Sequence, residues 1–307
     1  MKHDGLRRLA SKMNLNTIEI DYAISVFLTL LSYYPLCTKL VFKGGTSIKK
    51  TLYPEFRFST DLDFKVIGNE KNFNSELAAF FGDLIKFDID GFRFTKIKEE
   101  NTKAPNKVFS VSYRFEDEQE ETRKQNIRID LNRTTKLFED PEWRNLILTP
   151  YDFKFKNPCK RLAGGPRGHF GCKLGNFAND NIIQCNDCPD FVPETKYEHS
   201  IQCMKVNEIL AEKFHALFNP KRLKARDIFD IDYILTKEKN ILLDKNALNL
   251  IRDKIEERDG EFNLKNIGQK IEDLRENWAN DMSGLLMNQP PFDEIKSRII
   301  KKMEQCF

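Results

Sequence analysis

Apolar and polar positions along this chain follow two rhythms. Near the start, "TIEIDYAISVFLTLLSYY" spaces its apolar residues as a helix does and follows an Asn-Thr start. That predicts a helix from about Asn16 to Tyr34, stopped by Pro35. "KLVF" reads as a short buried strand ended by Gly44 and Gly45, and "TSIKKTLY" as a helix closed by Pro54. The rhythm then changes to period two. In "STDLDFKVIG", Leu62, Phe64 and Val66 share one face of a strand, while Asp61, Asp63 and Lys65 share the other.

"FNSELAAFFGDLIKF" predicts an amphipathic helix, and "GFRFTKIKE", "KVFSVSYRFE" and "NIRIDLNR" predict three strands. The charge run "EDEQEETRKQ" between the last two reads as a solvated hairpin loop. From about Pro150 to Pro193 periodicity fades, and Gly, Asn and Cys rise. From Ile201 onward the pattern is helical, in "IQCMKVNEILAEKFHALF", "ARDIFDIDYILT", "DKNALNLIRDKIEER" and at least two further segments. The expected organisation is an α+β core over 1–149, a cysteine-containing insertion over 150–195 and a C-terminal helical bundle over 196–307. The core is a mixed β-sheet flanked by helices.

Composition adds little to this picture. Hydrophobic residues are 40% of 307, charged residues 32%, and the net charge is +3. That charge is too small to establish a nucleic-acid partner, because a local basic face matters more than the total. No signal peptide is evident at the N-terminus, and no apolar run is read as reaching a membrane span. The expectation is a cytoplasmic protein with no membrane partner. Seven cysteines in such a chain point to reduced thiols or metal ligation rather than a disulfide framework.

Chemistry changes the picture more. A strand that ends in Gly44-Gly45 and opens a helix at Thr46-Ser47 presents free backbone N–H groups, and those suit phosphate oxygens. Asp61 and Asp63, two apart on a strand, project from one face as paired hard-oxygen ligands for Mg²⁺. Asp130 in "NIRIDLNR" is the candidate third ligand, if its strand lies beside that of Asp61. Taken singly, a Gly-Gly is more often a plain turn and a D-x-D more often a solvated strand face. Their occurrence together, with Arg57 and Ser59 just before the aspartates, is less easily accidental.

"FKGGTSIKK…FRFSTDLDF" resembles the first motif of the AbiEii/AbiGii toxin family, within the polymerase-β-like nucleotidyltransferase superfamily. Gly45, Thr46, Asp61 and Asp63 match that motif residue by residue, and Asp130 matches the later carboxylate. The family's E-x-x-x-x-K helix motif stands here as Glu208…Lys213, and its R-D-x-x-D motif as Arg226-Asp227…Asp230. The resemblance runs from about Leu40 to Leu235. It implies a polymerase-β-like core, a nucleoside triphosphate substrate, Mg²⁺ (or Mn²⁺) at Asp61, Asp63 and Asp130, and functional roles for Lys213 and Asp227. It also implies an antitoxin partner and, from some relatives, a tRNA or other RNA acceptor. From spacing alone, the Lys213 and Asp227 segments read more readily as a helical hairpin with surface charge pairs.

Cys159, Cys172, Cys185 and Cys188 fall within thirty residues, with His169 among them, and "CNDCPD" is a knuckle of the kind that grips Zn²⁺. Free loop thiols are the competing reading. Cys37, Cys203 and Cys306 read as buried or terminal thiols, and His215 as a packed or surface histidine. The functional expectation is a Mg²⁺-dependent transfer of a nucleoside monophosphate from an NTP to an acceptor hydroxyl. The alternative is an inactive nucleotide- or RNA-binding module of the same fold. The intact acids argue against it.

Overall fold

The computed structural model describes residues 3–10, 13–68, 72–89, 91–102, 104–116, 125–148, 150–151, 199–219, 222, 224–243, 245–257 and 266–305. The chain divides into two compact units. One comprises residues 1–136 and 141–203, the other 137–140 and 204–307.

The first unit is built on an eight-stranded mixed sheet in the order β3-β4-β5-β6-β2-β1-β8-β7. The strands are β1 Leu40–Lys43, β2 Asp61–Val66, β3 Asp88–Ile89, β4 Phe92–Glu100, β5 Lys107–Phe115, β6 Gln125–Asn132, β7 Glu142–Asn145 and β8 Ser200–Cys203. Helices α1 (His3–Leu9), α2 (Leu15–Ser32), α3 (Gly44–Thr51) and α4 (Phe73–Leu84) complete it. β2 runs antiparallel to β1 but parallel to β6, and β1 runs parallel to β8, so the sheet is mixed as expected.

Period-two sequence makes the sheet two-faced. In β5 and β6, Phe109, Val111, Tyr113, Ile127, Ile129 and Leu131 are buried on one face. Helices α2 and α4 pack against that face through aromatic edges. Tyr22 meets Phe92 at 5.2 Å, Phe27 meets Phe94 at 6.4 Å, and Phe81 meets Phe109 at 4.9 Å between ring centroids. Each such ring contributes roughly 1.5–3 kcal/mol of burial, and its edge-to-face contacts add about 1 kcal/mol.

Helix α2 starts one residue before the expected position, because the Asn14 side chain accepts from the N–H of Asn16 at 2.9 Å and caps it. It is long and apolar enough to cross a membrane, with a mean hydropathy of 1.3 over 18 residues. This corrects the expectation that no apolar run reaches such a length. Its window is 78% buried inside the protein. It carries Asp21, which holds the Lys50 ammonium at 2.7 Å and accepts from the Tyr151 hydroxyl at 2.7 Å.

Ile201–Cys203 was expected to open a helix. It is the end of strand β8 instead, joined to β1 at Phe42↔Cys203. Local spacing suggests a helix there, but parallel pairing to a distant strand decides the outcome. The two compact units divide after Cys203. β3 and β7 also escape the sequence pattern, being two and four residues long.

The second unit is helical, as expected. It holds α5 (Val206–Phe218), α6 (Arg226–Lys237), α7 (Lys245–Glu256), α8 (Ile267–Glu272), α9 (Arg275–Met282) and α10 (Phe292–Glu304). Glu208 on α5 is fully buried. It accepts the backbone N–H groups of Phe138 and Glu139 at 2.9 and 3.0 Å and pairs with Lys254 at 2.9 Å. The glutamate of the E-x-x-x-x-K motif thus ties segment 137–140 into this unit.

Cys159, Cys172, Cys185, Cys188 and His169 lie outside the described residues, as do Cys306 and most of the charge run. Cys37 and Cys203 are buried free thiols, as expected, and His215 is half-buried.

Candidate active site

The carboxylates are positioned by strand register. β2 and β6 run parallel with Asp61 beside Arg128 and Asp63 directly beside Asp130. The adjacency that the sequence left open is therefore present. Asp61, Asp63 and Asp130 share the sheet face opposite the aromatic core, each half-buried at the end of an alternating strand.

Their charges feel one another. Burial and then the negative charges of Asp63 and, more weakly, Asp61 push the Asp130 carboxyl above the usual carboxylate range, against the opposing charge of Arg128. Arg128 Nε donates to Asp130 Oδ1 at 3.0 Å, and its NH1 lies 3.2 Å from Glu100 Oε2. Two unit charges one strand spacing apart repel by about 3 kcal/mol at an effective dielectric near 20. A half-exposed Arg–Asp pair returns at most about 1 kcal/mol. Arg128 does not cancel the repulsion, so the face favours added positive charge.

That is the fit expected of a divalent-cation site. Three carboxylates share one surface, and Asp130 is destabilised as an anion by burial and then by the other two. Among the described residues, no three His, Cys, Asp or Glu side chains close into a metal-binding group. Asp61, Asp63 and Asp130 lie side by side on the sheet, with Asp130 engaged by Arg128.

The glycine turn packs against this face. Gly44 adopts φ +75°, and a Cβ added there would lie 2.5 Å from Asp63 Oδ2. Both the backbone conformation and the close approach require glycine. Helix α3 begins at Gly44 itself, so its N-terminal end abuts the Asp63 carboxylate. A Cβ on Gly45 would lie 2.7 Å from an Arg57 guanidinium nitrogen.

The other residues expected around the turn lie deeper. Arg57 is 1% exposed and donates to the Phe58 carbonyl at 3.0 Å. The Thr46 hydroxyl donates to the Asp61 carbonyl, which ties the turn to β2. Ser47 is fully buried beside Cys203, whose thiol burial pushes up to about 11. Ser59 is also buried. These side chains back the turn from inside, and Gly45 is buried with them, leaving half-buried Gly44 as its near surface.

The second unit holds its own charge cluster. Lys213 Nζ lies 2.7 Å from Asp227 Oδ1 and 2.6 Å from Asp230 Oδ2. Arg222 Nε lies 2.8 Å from Asp227 Oδ2. Burial alone would raise the Asp227 carboxyl, but the charges of Lys213 and Arg222 outweigh it and hold it well below the usual range. Asp227 and Asp230 are 1% and 0% exposed and Lys213 is 7% exposed. The i,i+3 aspartates thus both grip one lysine rather than forming surface pairs.

Strand alternation places Arg128 on the face of Asp130, two residues away, but its pairing with that carboxylate was not read from the sequence. No role was read for Arg222 either. The strand alternation carried the signal for the first. Nothing local carried it for the second, whose partner stands in the next helix.

The family model described as "Nucleotidyl transferase AbiEii toxin, Type IV TA system" matches residues 26–163 and 178–298. No curated protein matches the chain significantly. Among solved structures, JHP933 from Helicobacter pylori matches at 14% identity with a TM-score of 0.53, covering 96% of this chain and 93% of its own. A proposed nucleotidyltransferase from H. pylori matches at 15% identity with a TM-score of 0.51, covering 95% and 93%. At these identities the likeness is one of fold, and it spans both units. With a glycine turn against paired strand carboxylates, and with a match over most of its length, the chain belongs to the AbiEii nucleotidyl transferase toxin family of type IV toxin–antitoxin systems.

Proposed function

We propose that this protein binds a nucleoside triphosphate with Mg²⁺ or Mn²⁺ on the carboxylate face and transfers the nucleoside monophosphate to an acceptor hydroxyl, releasing pyrophosphate. The acceptor is an RNA, with tRNA the first candidate. The protein acts in the cytoplasm as a toxin held in check by a separate antitoxin. The observation that carries the reading is the register of β2 and β6, which sets Asp63 beside Asp130 with Asp61 on the same face.

Asp61, Asp63 and Asp130 would hold the cation. Its chemistry there is activation of the acceptor hydroxyl and charge stabilisation on the departing pyrophosphate. Gly44 offers the backbone N–H of a helix start to phosphate oxygens, with Gly45 and Thr46 buried behind it. Arg57, Ser47 and Ser59 hold that turn in shape from beneath. Within the second unit, Asp227 and Asp230 fix the ammonium of Lys213, the lysine of the family's helix motif. Catalysis by these groups is positioning and electrostatic stabilisation.

Incubation with each labelled NTP, Mg²⁺ and total tRNA tests the proposal. Label transfer that disappears in Asp63→Ala supports it. Tight nucleotide binding with no transfer to any acceptor would reassign the protein as a binding module.

A further inference from the structure

The sheet face that bears the carboxylates continues beyond them, and the strand registers order it into rows. One row runs from Lys43 on β1 through Asp63, Asp130 and Val108 to Glu100 on β4. The next runs through Asp61, Arg128 and Ser110 to Lys98. A third holds Asn126, Ser112 and Lys96. Residues directly opposed on neighbouring strands share a face. Within two rows, therefore, the surface changes from acidic to basic and hydroxyl-bearing.

Among the described residues of its unit, this face stands open over β4, β5 and β6. Helices α2 and α4 pack on the opposite side, against Phe92, Phe94 and Phe109. Arg128, Asn126, Lys96 and Lys98 are exposed, and Ser110 and Ser112 are half-buried. Lys96 and Lys98 make no ion pair among the described residues. A merely solvated strand face usually intersperses both signs, as do the surface pairs Lys39–Glu76 and Lys107–Glu99 of this unit. In the second and third rows Asp61 is the only acid.

Charge complementarity names the occupant. Ammonium and guanidinium groups beside Ser and Asn side chains suit phosphate oxygens and ribose hydroxyls. The second and third rows carry no large apolar or aromatic side chain. A protein partner would need such anchors at the centre of an interface. The rows also start at the carboxylates, where the reactive hydroxyl of an acceptor must lie. We propose that the open face of β4, β5 and β6 is a docking track for the single-stranded end of the acceptor polynucleotide. Lys98 and Lys96 hold its phosphates, Ser110, Ser112 and Asn126 hydrogen-bond alongside, and Arg128 stays on Asp130 and Glu100. This rests on the transferase reading given above.

The test uses the full chain and a fluorescein-labelled single-stranded RNA 20-mer of mixed sequence, followed by anisotropy at several salt concentrations. NTP binding in Mn²⁺ is measured alongside by calorimetry. The variant is Lys96→Ala/Lys98→Ala, which leaves the carboxylate row intact. The expected result is wild-type NTP binding by the variant, with RNA affinity about tenfold lower and a log–log salt slope shallower by about 1.4, for two lost single-strand phosphate contacts. NTP binding by wild type without RNA binding, or RNA binding equal in variant and wild type, overturns the docking track and leaves the transferase reading standing. RNA binding without any NTP binding overturns the transferase reading instead. Displacement of the RNA by polyglutamate at equal charge concentration would reassign the face to an acidic protein and overturn the polynucleotide.

Discussion

The Asp63 carboxylate rests against Gly44 so closely that a Cβ there would lie 2.5 Å from its Oδ2. The turn and the carboxylate are therefore one unit of geometry. Gly44→Ala forces either the φ of +75° to change or Asp63 to move. The expected result is a stability loss of only about 1–2 kcal/mol. Nucleotide transfer falls about 100-fold, as for other displacements of about 1 Å at a reacting centre. Thermal unfolding beside the labelled-NTP assay checks this. Unchanged transfer would mean that the turn does not set the position of Asp63.

The Asp130 carboxyl is pushed up by burial first and then by the negative charges of Asp63 and Asp61. A carboxyl whose folded pKa is raised favours the folded state below its unfolded pKa, and that contribution is lost as pH rises through the folded value. At neutral pH, Asp130→Asn in metal-free protein should therefore raise the unfolding temperature while abolishing transfer. Saturating Mg²⁺ should stabilise wild type, by about 2.7 kcal/mol at a hundredfold excess over Kd, and the variant much less. Equal stabilisation of both by Mg²⁺ would remove Asp130 from the cation site.

In the second unit, Asp227 behaves in the opposite sense. Its folded pKa is depressed, so its contribution is present above the unfolded value of 3.8 and is lost as pH falls through the lower folded one. Asp227→Asn leaves Lys213 with one buried carboxylate and should cost about 3–5 kcal/mol at pH 7. The difference between variant and wild type should shrink on acidification below about pH 4. Denaturant midpoints across that range decide it. A difference independent of pH would mean that the ion pair does not carry the loss.

The Asp21–Lys50 pair is buried to 2% exposure on both sides and is shared with Tyr151. Lys50→Ala should destabilise by about 3–5 kcal/mol, because it strands a buried carboxylate. Replacing both partners by leucine should recover much of that. Urea unfolding of the single and double variants measures the coupling, and strict additivity would deny it.

The local chemistry of the site was legible in the chain. Alternation around Asp61, Asp63 and Asp130 put each on a polar strand face, and Gly44-Gly45 marked a turn that only glycine permits. Those signals are short-range: they follow from a side-chain period of two and from the absence of a Cβ. The buried state of Arg57 and Ser47 was not legible, since hydroxyls and guanidinium beside a glycine turn look the same from sequence whether they face a ligand or the core.

Sequence by itself determined which residues form strands and helices around the turn and which face of each strand is polar, because period and backbone preference are local properties. The tertiary structure alone decided that β6 lies parallel beside β2, that Ile201–Cys203 joins the sheet as β8, that Arg128 holds Asp130, and that Asp227 and Asp230 close on one lysine. Each of these joins residues far apart in the chain or in separate elements. Their pairing is set by how whole elements pack, which no local pattern encodes.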